Sequence, residues 1–216
     1  MRNLPVKSST RRAVVAGLLA LAAPDLSSAA AKPRVVTMLG DSITAGYGLP
    51  GRDALPVQLQ AELKALGVDA LVRGAGVSGD TSAGGAGRVD FSVQPDTALC
   101  VVALGGNDML QGLSPQAMQA NLTRIVRRLK ARRIGVLLVG MQAPVSINAG
   151  YARAFNAVFP AVARAEGVPL YPNLLAGVQG IAALNQRDRI HPNASGARII
   201  SRKLAPAVAR ALRARP

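Results

Sequence analysis

A serine hydroxyl attacks a carbonyl only when a base removes its proton, and this chain holds one imidazole for that task. His191 is the single histidine among 216 residues. Three positions before it, in Asp188-Arg189-Ile190-His191, stands a carboxylate. In a turn, that spacing brings the carboxylate against Nδ1 and leaves Nε2 free to meet a hydroxyl. The carboxylate then fixes the tautomer and stabilises the imidazolium as it forms. Ser42 follows an apolar run in Gly40-Asp41-Ser42, where a hydroxyl at a strand end stands beside its own N–H. Gly79, in Ser78-Gly79-Asp80-Thr81, has no side chain to screen its N–H, and Asn107, in Gly105-Gly106-Asn107-Asp108, carries an amide donor. With the Ser42 N–H these make three donors for an oxyanion, and loss of one such donor typically costs about 100- to 1000-fold in turnover. Taken singly, a serine after a strand, an isolated histidine and an asparagine after glycines are ordinary turn, surface and packing residues. Together and in this order they predict acyl transfer, with Ser42 as nucleophile, His191 as base, Asp188 as its orienter, and Ser42, Gly79 and Asn107 around the oxyanion.

Groups about 150 positions apart meet only if the fold gathers them. Val35 to Leu39 reads as a short buried strand, as do Val68 to Val72, Ala98 to Leu104, Ile134 to Val139 and Val168 to Tyr171. Helical spacing lies between them. Leu55, Leu59, Leu63 and Leu66 follow Asp53 as a candidate N-cap, and a short helix is expected before Pro95. Ser114-Pro115 opens an amphipathic helix with Met118, Leu122, Ile125, Val126 and Leu129 on one face. Tyr151, Phe155, Val158 and Val162 mark another helix, with a bend expected at Pro160, and Asn193 caps a last one, with an interruption expected at Pro206. Strands alternating with helices imply right-handed crossovers and a parallel sheet covered on both faces, a three-layer α/β/α sandwich. In such a sheet, ligands bind beyond the carboxyl ends of the strands, where all four polar peptides fall.

Gly40-Asp41-Ser42-Ile43-Thr44-Ala45-Gly46-Tyr47-Gly48, together with Gly79, Asn107 and Asp188-x-x-His191, resembles the SGNH (GDSL-type) hydrolase family. All four family blocks occur in order across essentially the whole chain after residue 31. The chain is most similar to the branch of exported acyl-CoA thioesterase I, lysophospholipase and arylesterase enzymes. The resemblance implies a flavodoxin-like sandwich on a five-stranded parallel sheet and hydrolysis of esters or thioesters without metal or organic cofactor. It implies the same roles for Ser42, His191, Asp188, Gly79 and Asn107. Ile43 replaces the family's leucine, and Arg189 stands where this branch usually has a small residue, which leaves substrate preference at the rim open.

Composition removes other classes. One Cys (Cys100) and one His exclude zinc fingers and an internal disulfide framework, and six aromatics leave little stacking surface for nucleic acid. Cys100 sits in an apolar strand pattern and reads as a buried, inert thiol. Residues 1–31 read as a signal peptide, with Arg2, Lys7, Arg11 and Arg12 preceding the apolar run Ala13 to Ala23, and Ala29-Ala30-Ala31 as a cleavage site. A short anchor or tail is the alternative, and Ser9-Thr10-Arg11-Arg12 leaves the twin-arginine route open beside the general secretory one. Residues 32–216 are then one hydrolase domain, periplasmic or secreted. The net charge of +15 comes from 26 basic against 11 acidic residues, and much of it falls on two predicted helices. Solvated helix faces account for such runs, with transient contact with an anionic membrane surface also expected from the basic excess. No nucleic-acid partner is expected, and the chain is read as a monomer.

Gly74-x-Gly76-x-x-Gly79 fits a dinucleotide fingerprint, but no acid closes the following strand and Asp80 would face the pyrophosphate. A sugar-polymer acetylesterase and a non-catalytic lipid or polyanion binder are the competing functions. Tyr47, Met109, Leu110, Leu113, Pro144 and Ile147 are the residues expected to wall an apolar acyl cleft, with Leu49, Ala143 and Val145 nearby. Short to medium acyl chains and anionic leaving groups are the expected substrates.

Overall fold

The computed structural model describes residues 1–2 and 33–214. The chain divides into two units, residues 1–32 and 33–216, and the architecture below is that of the second. Apart from its first two residues, the expected signal lies outside the described residues.

Five strands form one parallel sheet: β1 (Arg34–Gly40), β2 (Ala70–Gly76), β3 (Thr97–Ala103), β4 (Gly135–Val139) and β5 (Leu170–Tyr171), in the order β2-β1-β3-β4-β5. That order is flavodoxin-like, and it reverses direction between β1 and β3, which is where such sheets open a crevice for ligand. Gly40 lies level with Gly76 on one side and Ala103 on the other, so the three strands release their chains into that crevice at the same height.

Seven α-helices accompany the sheet among the described residues. Right-handed crossovers put α2 (Leu55–Ala65) on one face, joined there by α7 (Ala194–Arg213), and α3 (Ser82–Ser92), α5 (Pro115–Ala131) and α6 (Ala149–Glu166) on the other. Two shorter helices, α1 (Ser42–Ala45) and α4 (Gly106–Leu110), sit at the carboxyl edge. The core is strongest at β3, where Leu99 to Ala103 are almost wholly buried, as expected of a central parallel strand. The anticipated stripe of α5 is buried throughout, and the Ser114 hydroxyl caps that helix by accepting from the Ala117 N–H. Phe155 and Phe159 of α6 meet edge to face at 5.6 Å.

Some elements depart from expectation. β2 begins and ends later than Val68 to Val72, because its pairing with β1 carries on through Gly74, Ala75 and Gly76. Two of the glycines in the fingerprint spacing are therefore strand residues, and the dinucleotide reading falls. Asp53 is no N-cap: it ends a 3₁₀ turn (Gly51–Asp53), and its carboxylate lies 3.7 Å from Arg198 and 3.9 Å from Arg52. Ala54 precedes α2 instead, and Leu66 falls beyond the helix end, about half exposed. α7 is not interrupted at Pro206. Leu204, Ala205, Val208, Ala209 and Leu212 stay buried on both sides of the proline. That burial outweighs the roughly 3 kcal/mol that an interior proline costs a helix.

Candidate active site

The site is built where β1, β3 and the loop before α7 converge. Asp41 ends the turn out of β1 and caps α1, its Oδ1 accepting from the Ile43 N–H at 3.0 Å. Gly46 closes α1 in the left-handed region at φ +74°, so Ser42 is held in a single turn of helix between two backbone constraints. This turn lies directly on the end of β2. A Cβ at Gly76 would stand 2.3 Å from the Ala45 nitrogen and 2.7 Å from the Asp41 carbonyl oxygen, so only glycine admits the approach.

His191 and Asp188 lie on the loop between β5 and α7. The Ser42 Oγ is 2.8 Å from His191 Nε2, and His191 Nδ1 is 2.6 Å from Asp188 Oδ2. The second oxygen of Asp188 accepts the N–H groups of Ile190 at 2.9 Å and His191 at 3.0 Å. The hydrogen bond from His191, with these two behind it, holds the Asp188 carboxyl down at about 2. The loop is fastened to the nucleophile turn by Gln186, whose amide donates to the carbonyls of Tyr47 at 2.7 Å and Pro192 at 3.1 Å. Arg189, between Asp188 and His191, is held at φ +60° with its N–H on the Gln186 carbonyl.

Gly79 occupies a tight turn at φ +84°, closed by the Asp80 N–H donating to the Val77 carbonyl at 3.1 Å. Asn107, in α4, donates one amide hydrogen to the Asp80 carbonyl at 2.9 Å and borders the cleft, leaving its second hydrogen for a ligand. Asp108 is not part of this array. It is buried and accepts from the Ser82 N–H at 2.7 Å and the Ser82 hydroxyl at 2.5 Å, which fixes α4 against the start of α3. Asp41, also buried, is raised to about 6, chiefly by loss of hydration. Cys100 is fully buried in β3, and burial pushes its thiol up to about 12.

A cleft of about 210 Å³ opens beside Ser42, Asn107 and His191. Of the anticipated wall residues, Met109, Leu110, Pro144 and Ile147 line it. Leu113 does not: its carbonyl accepts the Tyr151 hydroxyl at 3.0 Å, in the turn before α5. Tyr47 lies on the other side of Ser42. Its ring centroid is 4.7 Å from that of His191, and with Leu49 it borders a separate shallow recess. Ala143 is buried, and Val145 points to solvent without touching the cleft. Met141, Leu175 and Ile190 add to the apolar wall beside Ile43, and Gln142, Gln179 and Arg189 line the cleft as well. Met141 follows β4 with only Gly140 between, a position the topology marks, whereas Leu175 and Ile190 sit in irregular chain with no periodicity to mark them. Among the described residues no group of three His, Cys, Asp or Glu side chains is placed to hold a metal ion.

A serine, imidazole and carboxylate in hydrogen-bonded series at the carboxyl edge of a doubly wound sheet can transfer an acyl group through a covalent intermediate. Comparison with known proteins agrees with that chemistry. Residues 38–199 match the GDSL-like Lipase/Acylhydrolase family, and the chain belongs to it. It is 38% identical over 183 residues to Esterase TesA of Pseudomonas aeruginosa, covering 84% of this chain and 90% of that protein. It is 34% identical over 169 residues to Thioesterase 1/protease 1/lysophospholipase L1 of Escherichia coli K12, covering 78% of this chain and 80% of the other. The crystal structure of AlinE4, an SGNH-hydrolase family esterase, superposes with a TM-score of 0.70 at 41% identity, over 83% of this chain and 97% of that one.

Proposed function

We propose that the chain hydrolyses carboxylic esters and thioesters in two acyl-transfer steps, with Ser42 as nucleophile. The unbroken series from Ser42 Oγ through His191 to Asp188, at 2.8 and 2.6 Å, is the observation that carries this reading. His191 Nε2 takes the hydroxyl proton as Oγ bonds to the carbonyl carbon, and the carbonyl electrons move onto oxygen. The N–H groups of Ser42 and Gly79 and the free hydrogen of the Asn107 amide receive that oxyanion. Its collapse expels the alcohol or thiol, which His191 protonates, and leaves an acyl group on Ser42. Water, deprotonated by His191, then releases the acid and restores the serine.

Met109, Leu110, Pro144 and Ile147 would take the acyl chain, short to medium in length, while Tyr47 would steady the His191 ring on the opposite side. Aryl esters, thioesters and lysophospholipids suit an open groove with a basic rim. An address in residues 1–31 would deliver the enzyme to the periplasm or medium, where one lone cysteine poses no pairing problem.

An organophosphonate should label the wild-type protein once, at Ser42, and Ser42→Ala should take up no label and lose at least ~10³-fold in turnover of nitrophenyl butyrate. Label on any other residue, or full turnover by Ser42→Ala, overturns the mechanism. Faster release of acetate from sugar polymers than of longer acyl groups from aryl esters would instead point to an acetylesterase.

A further inference from the structure

The geometry points to Arg88 as the positioning residue that sets the oxyanion donors, through Asp80, and we propose this as its function. The inference rests on Gly79 and Asn107 serving as those donors.

Arg88 lies on the inner side of α3, four-fifths buried, and reaches back under the site. Its Nε donates to Asp80 Oδ2 at 2.7 Å, its Nη1 to the Ala75 carbonyl and the Ser92 hydroxyl at 3.0 Å each, and its Nη2 to the Gly40 carbonyl at 2.9 Å. One planar guanidinium thus ties together three chain segments whose separate placement the reaction cannot tolerate. Gly40 stands two residues before Ser42. Ala75 is in the last part of β2, just before the turn that carries Gly79. Asp80 follows Gly79, and its own carbonyl holds the Asn107 amide at 2.9 Å. The bonds run Arg88 to Asp80, then Asp80 to Asn107, with Gly79 covalently between the turn and the acid.

The surroundings are shaped around this arrangement. A Cβ at Gly84 would meet Asp80 Oδ1 at 2.1 Å, so the missing side chain makes room for the carboxylate over the first turn of α3. The charge matters as well as the shape. An unpaired Asp80 carboxylate beside the donors would repel the oxyanion they are to receive, and Arg88 neutralises it at contact distance. Lysine could supply the charge but not the fork that reaches several acceptors at once.

The test is a double-mutant cycle of Arg88→Met and Asn107→Ala on a soluble nitrophenyl ester. If Arg88 acts through the donors, Arg88→Met lowers kcat by about 10- to 100-fold with KM within twofold, since misplacement by an ångström can cost about 10²-fold. In the Asn107→Ala background the same substitution should cost several-fold less than in the wild type, because one of the two donors it positions is already gone and only Gly79 and the Asp80 charge remain for it to act on. Arg88→Lys should recover part of kcat, and the urea midpoint of each variant separates folding from turnover. Asp80→Asn, which keeps the main-chain carbonyl, tests the same link should Arg88→Met fail to fold, and the expected result is again a fall in kcat at constant KM. Fully additive losses, or a folded Arg88→Met (or Asp80→Asn) variant with unchanged kcat, overturn the proposal while leaving the Ser42 mechanism intact. Full kcat in Asn107→Ala alone overturns the assignment of the donors, and this proposal with it.

Discussion

Asp41 stands next to the Ser42 nucleophile and Asp188 holds the His191 ring, yet their surroundings push their carboxyl groups in opposite directions. Burial raises Asp41 to about 6, and the hydrogen bond from His191 lowers Asp188 to about 2. Between pH 4 and 6 the folded protein keeps a proton on Asp41 that the unfolded chain has released, so Asp41 makes stability fall as pH rises through that window. Asp188 behaves in reverse: its contribution is complete above about pH 4, the ordinary range of a free carboxyl, and is lost as pH falls towards 2. Asp41→Asn should therefore flatten the wild-type decline between pH 4 and 6, read as the urea midpoint at half-unit steps. An unchanged slope would mean that another group produces it. Asp188→Asn should preserve the fold and lower kcat by up to ~10⁴-fold, the loss that follows when a triad histidine is held in the wrong tautomer. A variant within tenfold of wild type would show that His191 keeps its orientation without the carboxylate.

At the level of elements, the level ends of β1, β2 and β3 deliver the site, and the glycines that end β1 and β2 admit the approach of one backbone to another. Gly76→Ala should push α1 away from β2, because the added carbon meets main chain, which has nowhere to rotate. A loss of at least ~10-fold in kcat together with a lowered melting temperature is expected, whereas Gly51→Ala, with nothing within 4 Å of the added carbon, should be nearly silent. Much of this level is legible in the sequence. The stripe Met118 to Leu129 and the caps at Ser114 and Asn193 carry their own periodicity and chemistry, and each stands where the spacing puts it. The start of α2 and the course of β2 are less legible. A 3₁₀ turn takes Asp53 away to an ion pair, and glycine-rich Gly74-Ala75-Gly76 has the composition of a loop while its neighbour β1 keeps it in the ladder. Pro206 misleads for a similar reason: the packing that keeps α7 continuous is tertiary and leaves no local mark.

For the whole molecule, the relay was legible because topology alone brings the ends of successive strands together. The cleft wall was only half legible, because Leu175 and Ile190 come from loops with no repeating pattern. The same edge carries exposed large apolar side chains, among them Tyr47, Leu110, Val145, Ile147 and Ile190, and Arg187 and Arg189 are exposed on the loop before α7. Its carboxylates are buried or already held by a cation or by His191. The transient contact with an anionic lipid surface expected from the basic excess would fall on this rim, at about 1 kcal/mol per arginine. Vesicles containing phosphatidylglycerol should co-sediment the enzyme at 50 mM salt and release it at 500 mM, and Val145→Ser with Arg187→Gln should weaken that binding without altering KM on a soluble ester. Equal sedimentation with purely zwitterionic vesicles would count against it. The sulfur of Cys100, sealed in β3 and raised to about 12, has a quieter consequence. A cysteine placed at Phe91, 84% exposed near the end of α3 remote from the groove, would be the sole nucleophilic thiol on the molecule. One maleimide would then hang every copy from a bead by its back, with its mouth facing the stream.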